Sequence, residues 1–198
     1  MFVKRFAELK EIVGHGVYTN RSGVIPQEKS LLLAHQLLKQ TREREGLVYV
    51  IGNGGSAGIA SHFCTDLLRT LEIPAATLVD SNVVTCFAND YGYENVYSLQ
   101  LTQKLRSHDL LVAISSSGRS TNILNAVAVA AEKDIPIITL SGFSYENPLR
   151  RMGDLNFWLD SCDYGLVETG HFFLLHTIVD TFNITAVHSE VLVGAAKD

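Results

Sequence analysis

Leu47-Val48-Tyr49-Val50-Ile51-Gly52-Asn53-Gly54-Gly55-Ser56 and Leu110-Leu111-Val112-Ala113-Ile114-Ser115-Ser116-Ser117-Gly118-Arg119-Ser120 decide the fold. In each, an apolar run reads as a buried parallel strand, and a turn of small residues leads from it into a helix. Unpaired amides and the positive end of the helix dipole converge at such a turn, which suits an anion. Serines and glycines also cap helices with no ligand involved. Two such turns in one α/β chain point further, to a pocket for a small phosphorylated ligand.

Outward from these turns the chain alternates. Strands are expected over 47–51, 75–79, 110–114, 135–140 and 155–159. Helices are expected over 56–70, 81–88, 94–106, 120–132 and 166–187. Strands that are apolar throughout and separated by helices predict a five-stranded parallel sheet in a three-layer α/β sandwich. Ligands in such sheets bind beyond the carboxyl ends of the strands, where both turns lie. Ahead of the sheet, Phe2, Phe6, Leu9 and Val13 recur at helical spacing. A second helix starts near Pro26 and runs to about Arg44. Gly14, Gly16 and Gly23 read as the connection between them. Two helices before the first strand exceed the needs of one α/β layer and are expected to pack on another subunit. The division expected is one domain over 1–198: helices to residue 45, an α/β core over 46–187, and a frayed tail over 188–198.

The 198 residues suffice for one substantial core, and 46% hydrophobic with 19% charged residues is an ordinary globular balance. A formal charge of -5 argues against a nucleic-acid surface. Cys64, Cys86 and Cys162 are odd in number and far apart, which suits a reducing cytoplasm better than a disulfide framework. No apolar run approaches the roughly 20 residues of a membrane span, and Met1-Phe2-Val3-Lys4-Arg5 does not open a signal peptide. The first turn lacks the GxGxxG spacing, and no Gly-Lys-Ser/Thr follows it, so no nucleotide is expected.

The strand–GNGGS–helix unit, the stretch Asn89-Asp90-Tyr91-Gly92 and the IS-S-SG-x-S turn together resemble the sugar isomerase (SIS) domain family. More narrowly they are similar to the phosphoheptose isomerases, which convert sedoheptulose 7-phosphate to a heptose 7-phosphate for lipopolysaccharide or related glycans. The resemblance covers essentially the whole chain. It implies a flavodoxin-like five-stranded parallel sheet and a homotetramer with active sites between subunits.

Two helices carry the candidate chemistry. His62 and Asp66 are four apart and share a helix face. Glu168 and His176 are eight apart, about 80° around an ideal helix, whereas His171 lies about 140° from His176 and points elsewhere. A His/Asp pair at this spacing is commonly a surface or capping pair. Together, His62, Asp66, Glu168 and His176 also make an N/O ligand set for zinc or another divalent metal. The resemblance implies that His62 and His176 bind metal in zinc-containing members and that His176 is an acid/base. It places Asp66 where a catalytic glutamate is usual and Glu168 where a glutamine is usual. Asp66 and His176 are then the proton-transfer pair, and His62 and Glu168 complete the metal shell. Ser115, Ser116, Ser117 and Ser120 hold the phosphate. Asn53, Gly54, Gly55, Ser56, Asn89, Asp90 and Glu168 are the other expected substrate contacts.

His15, His35, His108 and His188 read as surface or capping residues, Cys64 and Cys86 as small core residues, and Trp158 as core or interface. Arg119 reads as exposed, and Asp163 and Tyr164 either cap the last helix or reach the pocket. Some proteins close to the phosphoheptose isomerases have lost the catalytic carboxylate and serve as protein-binding scaffolds. Others sense phosphosugars with the help of an attached DNA-binding domain. The retained His62, Asp66, Glu168 and His176 favour the enzyme.

Overall fold

A computed structural model describes the backbone of residues 1–194 and the side chains of residues 1–182. Five parallel strands form the centre: β3 (Val48–Gly52), β4 (Ala75–Ala76), β5 (Leu110–Ser115), β6 (Ile137–Ser141) and β7 (Leu155–Trp158). Among the described residues the sheet has seven strands and not five. The glycine-rich connection folds into a hairpin, β1 (Val17–Asn20) and β2 (Gly23–Ile25), and β1 runs antiparallel to β7. The order is β2-β1-β7-β6-β5-β3-β4. Tyr18 explains the added strand: it is buried, meets Phe157 edge-on at 5.3 Å, and donates its hydroxyl to the Val13 carbonyl. Strands of four and three residues are too short for alternation to show in sequence.

Among the described residues, seven α-helices surround this sheet: α1 (Phe2–Gly14), α2 (Gln27–Glu43), α3 (Gly55–Thr70), α4 (Ser81–Tyr91), α5 (Ser98–Lys104), α6 (Thr121–Glu132) and α7 (Tyr164–Gly194). The strands sort their side chains by period two. Val48, Val50, Val112 and Leu140 face α2, α3 and α7, whereas Tyr49, Ile51, Leu111 and Ile137 face α5 and α6. A sheet covered on both faces is the expected three-layer sandwich. Helix α2 buries Leu31, Ala34 and Leu38 in the core of its own chain, while α1 leaves Phe2, Val3 and Phe6 exposed.

Some boundaries differ from the sequence reading. The strand expected over 75–79 is two residues long, and residues 94–106 divide into a 3-10 turn (Tyr93–Asn95) and α5. The C-terminal helix continues through Gly194, so most of the expected tail is helical, and its last four residues lie outside the described ones. Cys86 is exposed on α4, a helix with no buried residue, so it is not a core cysteine. His35 is buried, with Nε2 2.9 Å from the Ile178 carbonyl oxygen, so it is neither a surface nor a capping group. The side chain of His188 lies outside the described residues. No described helix is long and apolar enough to cross a membrane.

Candidate active site

Both turns open at the carboxyl edge of the sheet, and the start of α7 lies against them. Asn53, Gly54, Gly55, Ser56, Ser115, Ser116, Ser117, Ser120, Tyr164 and Glu168 line one cleft of about 220 Å³. Neither α3 nor α6 has a side-chain cap at its N-terminus. By contrast, Asp80 caps α4 and Asp163 caps α7. The first amides of α3 and α6 therefore stay available at the cleft. Ser115 and Ser120 share a hydroxyl–hydroxyl bond of 3.3 Å, and the buried Ser116 hydroxyl has no partner among the described residues. A buried, unsatisfied hydroxyl beside uncapped helix starts suits a phosphate oxygen.

Two glycines are required by their surroundings. A side-chain carbon on Gly55 would come within 2.3 Å of Glu168 Oε2, so the carboxylate rests on the helix start only because Gly55 is bare. Gly118 turns the serine loop at φ +62°, and a carbon there would meet Asn147 Oδ1 at 2.0 Å. Asn147 is fully buried and donates to Ser141 Oγ, Gly142 O and Ser144 O, which makes the loop after β6 a rigid backing for the serine turn.

Asn122 was not foreseen. Its amide exchanges two hydrogen bonds of 2.9 Å with Asn53, and Tyr93 donates a third to Asn53 Oδ1 at 3.3 Å. Asn53 thus ties the first turn to the start of α6. The sequence signal is slight, an asparagine two residues past an N-cap serine. Tyr97 donates to the Gly52 carbonyl at 2.6 Å, and burial pushes its phenol up to about 12, so it remains a donor.

The second group lies between α3 and α7. Asp66 Oδ2 is 3.4 Å from both His62 Nε2 and His176 Nδ1. The two imidazoles stand 5.1 Å apart, and Phe172 meets both edge-on. Asp66 is 9% exposed, so most of its carboxylate is enclosed by these rings and the helix packing. One ligand atom from each of His62, Asp66 and His176 lies within 4.8 Å of the others, a compact N/O donor set that fits a divalent metal. Glu168 does not belong to this group. It stands between the serine cleft and a neighbouring cleft of about 350 Å³ lined by Gly58, Ile59, His62, Thr169 and Phe172. Asn89 and Asp90 bond each other on α4 and do not line either cleft.

His171 points away from the donor group and is fully buried, its Nε2 3.0 Å from the Ser141 carbonyl oxygen. Because that partner only accepts, Nε2 carries the proton and the buried Nδ1 is left bare. Burial pushes its pKa down to about 4, so the ring is neutral and pins α7 to the end of β6. Asp163 both caps α7 and pairs with Arg5 of α1. Arg119 is exposed.

A polar cleft beside two uncapped helix starts, next to a two-histidine, one-carboxylate group on a parallel α/β sheet, defines an α/β protein suited to a small anionic ligand. Residues 21–142 match the SIS domain model. The phosphoheptose isomerase of Colwellia psychrerythraea is 35% identical over 173 residues, 78% of this chain and 88% of that protein. That of Campylobacter concisus is 36% identical over 155 residues, 75% and 82% of the two chains. Among solved structures, phosphoheptose isomerase GmhA from Neisseria gonorrhoeae superposes with a TM-score of 0.79 at 28% identity, covering 91% of this chain and 94% of that one. The Vibrio vulnificus NanR protein complexed with ManNAc-6P shares the fold alone, at a TM-score of 0.68 and 16% identity. The chain belongs to the SIS domain family, on its phosphoheptose isomerase branch.

Proposed function

We propose that this enzyme is an aldose–ketose isomerase that converts sedoheptulose 7-phosphate to a heptose 7-phosphate through an enediol. The family of its relatives supports the reaction class, and the shared Asp66 oxygen between two imidazoles is the observation that carries the chemistry. Ser115, Ser116, Ser117 and Ser120, with the starts of α3 and α6, hold the phosphate and so fix the sugar chain. Asp66 and His176 are the proton-transfer pair. One proton leaves the carbon beside the carbonyl, one returns to the former carbonyl carbon, and a hydroxyl proton moves between the two oxygens. No oxidant is needed. His62 contacts the same Asp66 oxygen as His176 and helps to orient the carboxylate.

His62, Asp66 and His176 would hold zinc or another divalent ion, which when bound supplies Lewis-acid stabilisation of the developing oxyanion. Glu168, near but outside that group, acts on the substrate side. Asn89 and Asp90 have no contact with the cleft within one chain, so any substrate contact they make requires the neighbouring subunit of a homotetramer. The exposed Phe2, Val3 and Phe6 of α1 supply an apolar face for such an assembly. The site of action is the cytoplasm, a reading that rests on cysteine usage in the sequence. The product feeds glycan assembly, lipopolysaccharide among the candidates.

Metal-replete protein incubated with sedoheptulose 7-phosphate should form heptose 7-phosphate, followed by NMR. Absent turnover, together with thermal stabilisation by the sugar phosphate, would replace catalysis with a binding role.

A further inference from the structure

On the opposite side of the loop that backs the serine turn lies a cleft of about 340 Å³, which shares no residue with the serine cleft. Arg21, Val24, Tyr145, Arg150, Arg151 and Asn156 help to line it, and no carboxylate does. Arg150 is the unusual member. It is only 6% exposed, and its guanidinium carbon sits 3.6 Å from the centre of the Tyr145 ring and 5.1 Å from that of Trp158. Nη1 donates to the Tyr145 carbonyl at 3.0 Å. The buried Nε has no partner, and among the described residues none accepts from Nη2.

A buried cation is costly unless it is paired and its donors are satisfied. Stacking on two rings offsets part of that cost. It leaves Nη2 without an acceptor, a charged donor that a carboxylate oxygen can take up. The other two arginines are already neutralised: Arg21 pairs with Asp154, and Arg151 pairs with Glu146. The lining therefore carries one uncompensated positive charge, with a donor at Nη2 and the Tyr145 ring as one wall. A singly charged planar acid matches it, whereas a phosphate dianion would bring one charge too many.

We propose that this cleft is a second ligand site, which binds the carboxylate of a small metabolite acid on the Arg150 guanidinium, with Nη2 as the donor. The site stands independently of the isomerase reading, because no serine-cleft residue takes part in it.

Trp158 is the only tryptophan in the chain, so its emission reports on this cleft. The intact protein would be titrated with sodium lactate, and with sodium succinate as a dianion that should bind more weakly, against sodium chloride at matched ionic strength. The site predicts a saturable change in emission, weakened about tenfold or more in Arg150→Gln, the size of a lost charged hydrogen-bond pair. Arg150→Lys keeps the charge but not the planar group that stacks on Tyr145 and aims Nη2, and should be weakened comparably. If Arg150→Gln does not fold, the lysine variant decides. No saturable response, or an equal response in Arg150→Lys, would overturn the proposal. So would inorganic phosphate that displaces lactate at concentrations below those at which lactate binds. Dissociation of a wild-type oligomer in Arg150→Lys, measured by sedimentation velocity, would assign the counter-charge to a second copy of the chain and also overturn it.

Discussion

At Glu168 a single carboxylate faces two clefts and rests on the bare start of α3. Its charge is favourable toward the helix dipole but unfavourable toward a phosphate in the adjoining serine cleft. Glu168→Gln should therefore lower KM for the phosphosugar by about fivefold, the effect of relieving a like-charge repulsion near 1 kcal/mol. Steady-state kinetics at fixed ionic strength would show it, and an increase in KM would make Glu168 an acceptor for substrate hydroxyls instead. Gly118→Ala tests the loop at the same scale. A side chain at φ +62° that collides with buried Asn147 should cost about 2 kcal/mol or more and weaken phosphate binding, both readable by thermal melts with and without phosphate. Residue types at the site were legible because serines, histidines and acids announce their chemistry. The Asn53–Asn122 pair was not, since two asparagines 69 positions apart give no local pattern.

Helix α7 carries Glu168 and His176 to the site, and buried His171 is one of its anchors. The folded state holds this ring with a pKa of about 4 against an ordinary 6.5, so the unfolded chain binds the extra proton first. Its contribution to stability is fully present above about pH 6.5 and is lost as the pH falls toward 4, by roughly 3 kcal/mol in all. Urea melts between pH 4 and 7 should show that slope, flattened in His171→Gln; an unchanged slope in the variant would remove His171 from the account. The long elements were readable because their apolar residues keep a period, as β3 and β5 do. The β1–β2 hairpin was hidden, because its pairing with β7 is a contact between residues 17–20 and 155–158 that no window of sequence contains. Asn89 and Asp90 illustrate the same limit: a motif shows that residues matter, but the fold decides which surface they reach.

For the whole molecule, α1 presents Phe2, Val3 and Phe6 outward, with Phe173 of α7 exposed beside an apolar cleft formed with Phe6, Leu9 and Val13. Exposed apolar surface of this kind marks association. Sedimentation equilibrium should give a tetramer, and Phe6→Glu should lower the mass of the assembly; a monomeric wild type would contradict the reading. The proposed isomerase divides its labour, with the serine cleft binding and the Asp66 group moving protons. The most direct test is Asp66→Asn assayed with sedoheptulose 7-phosphate beside the wild type, for both turnover and ligand-induced thermal stabilisation. The account predicts that turnover falls at least about a hundredfold while stabilisation by the substrate persists. Retained turnover in the variant would contradict it.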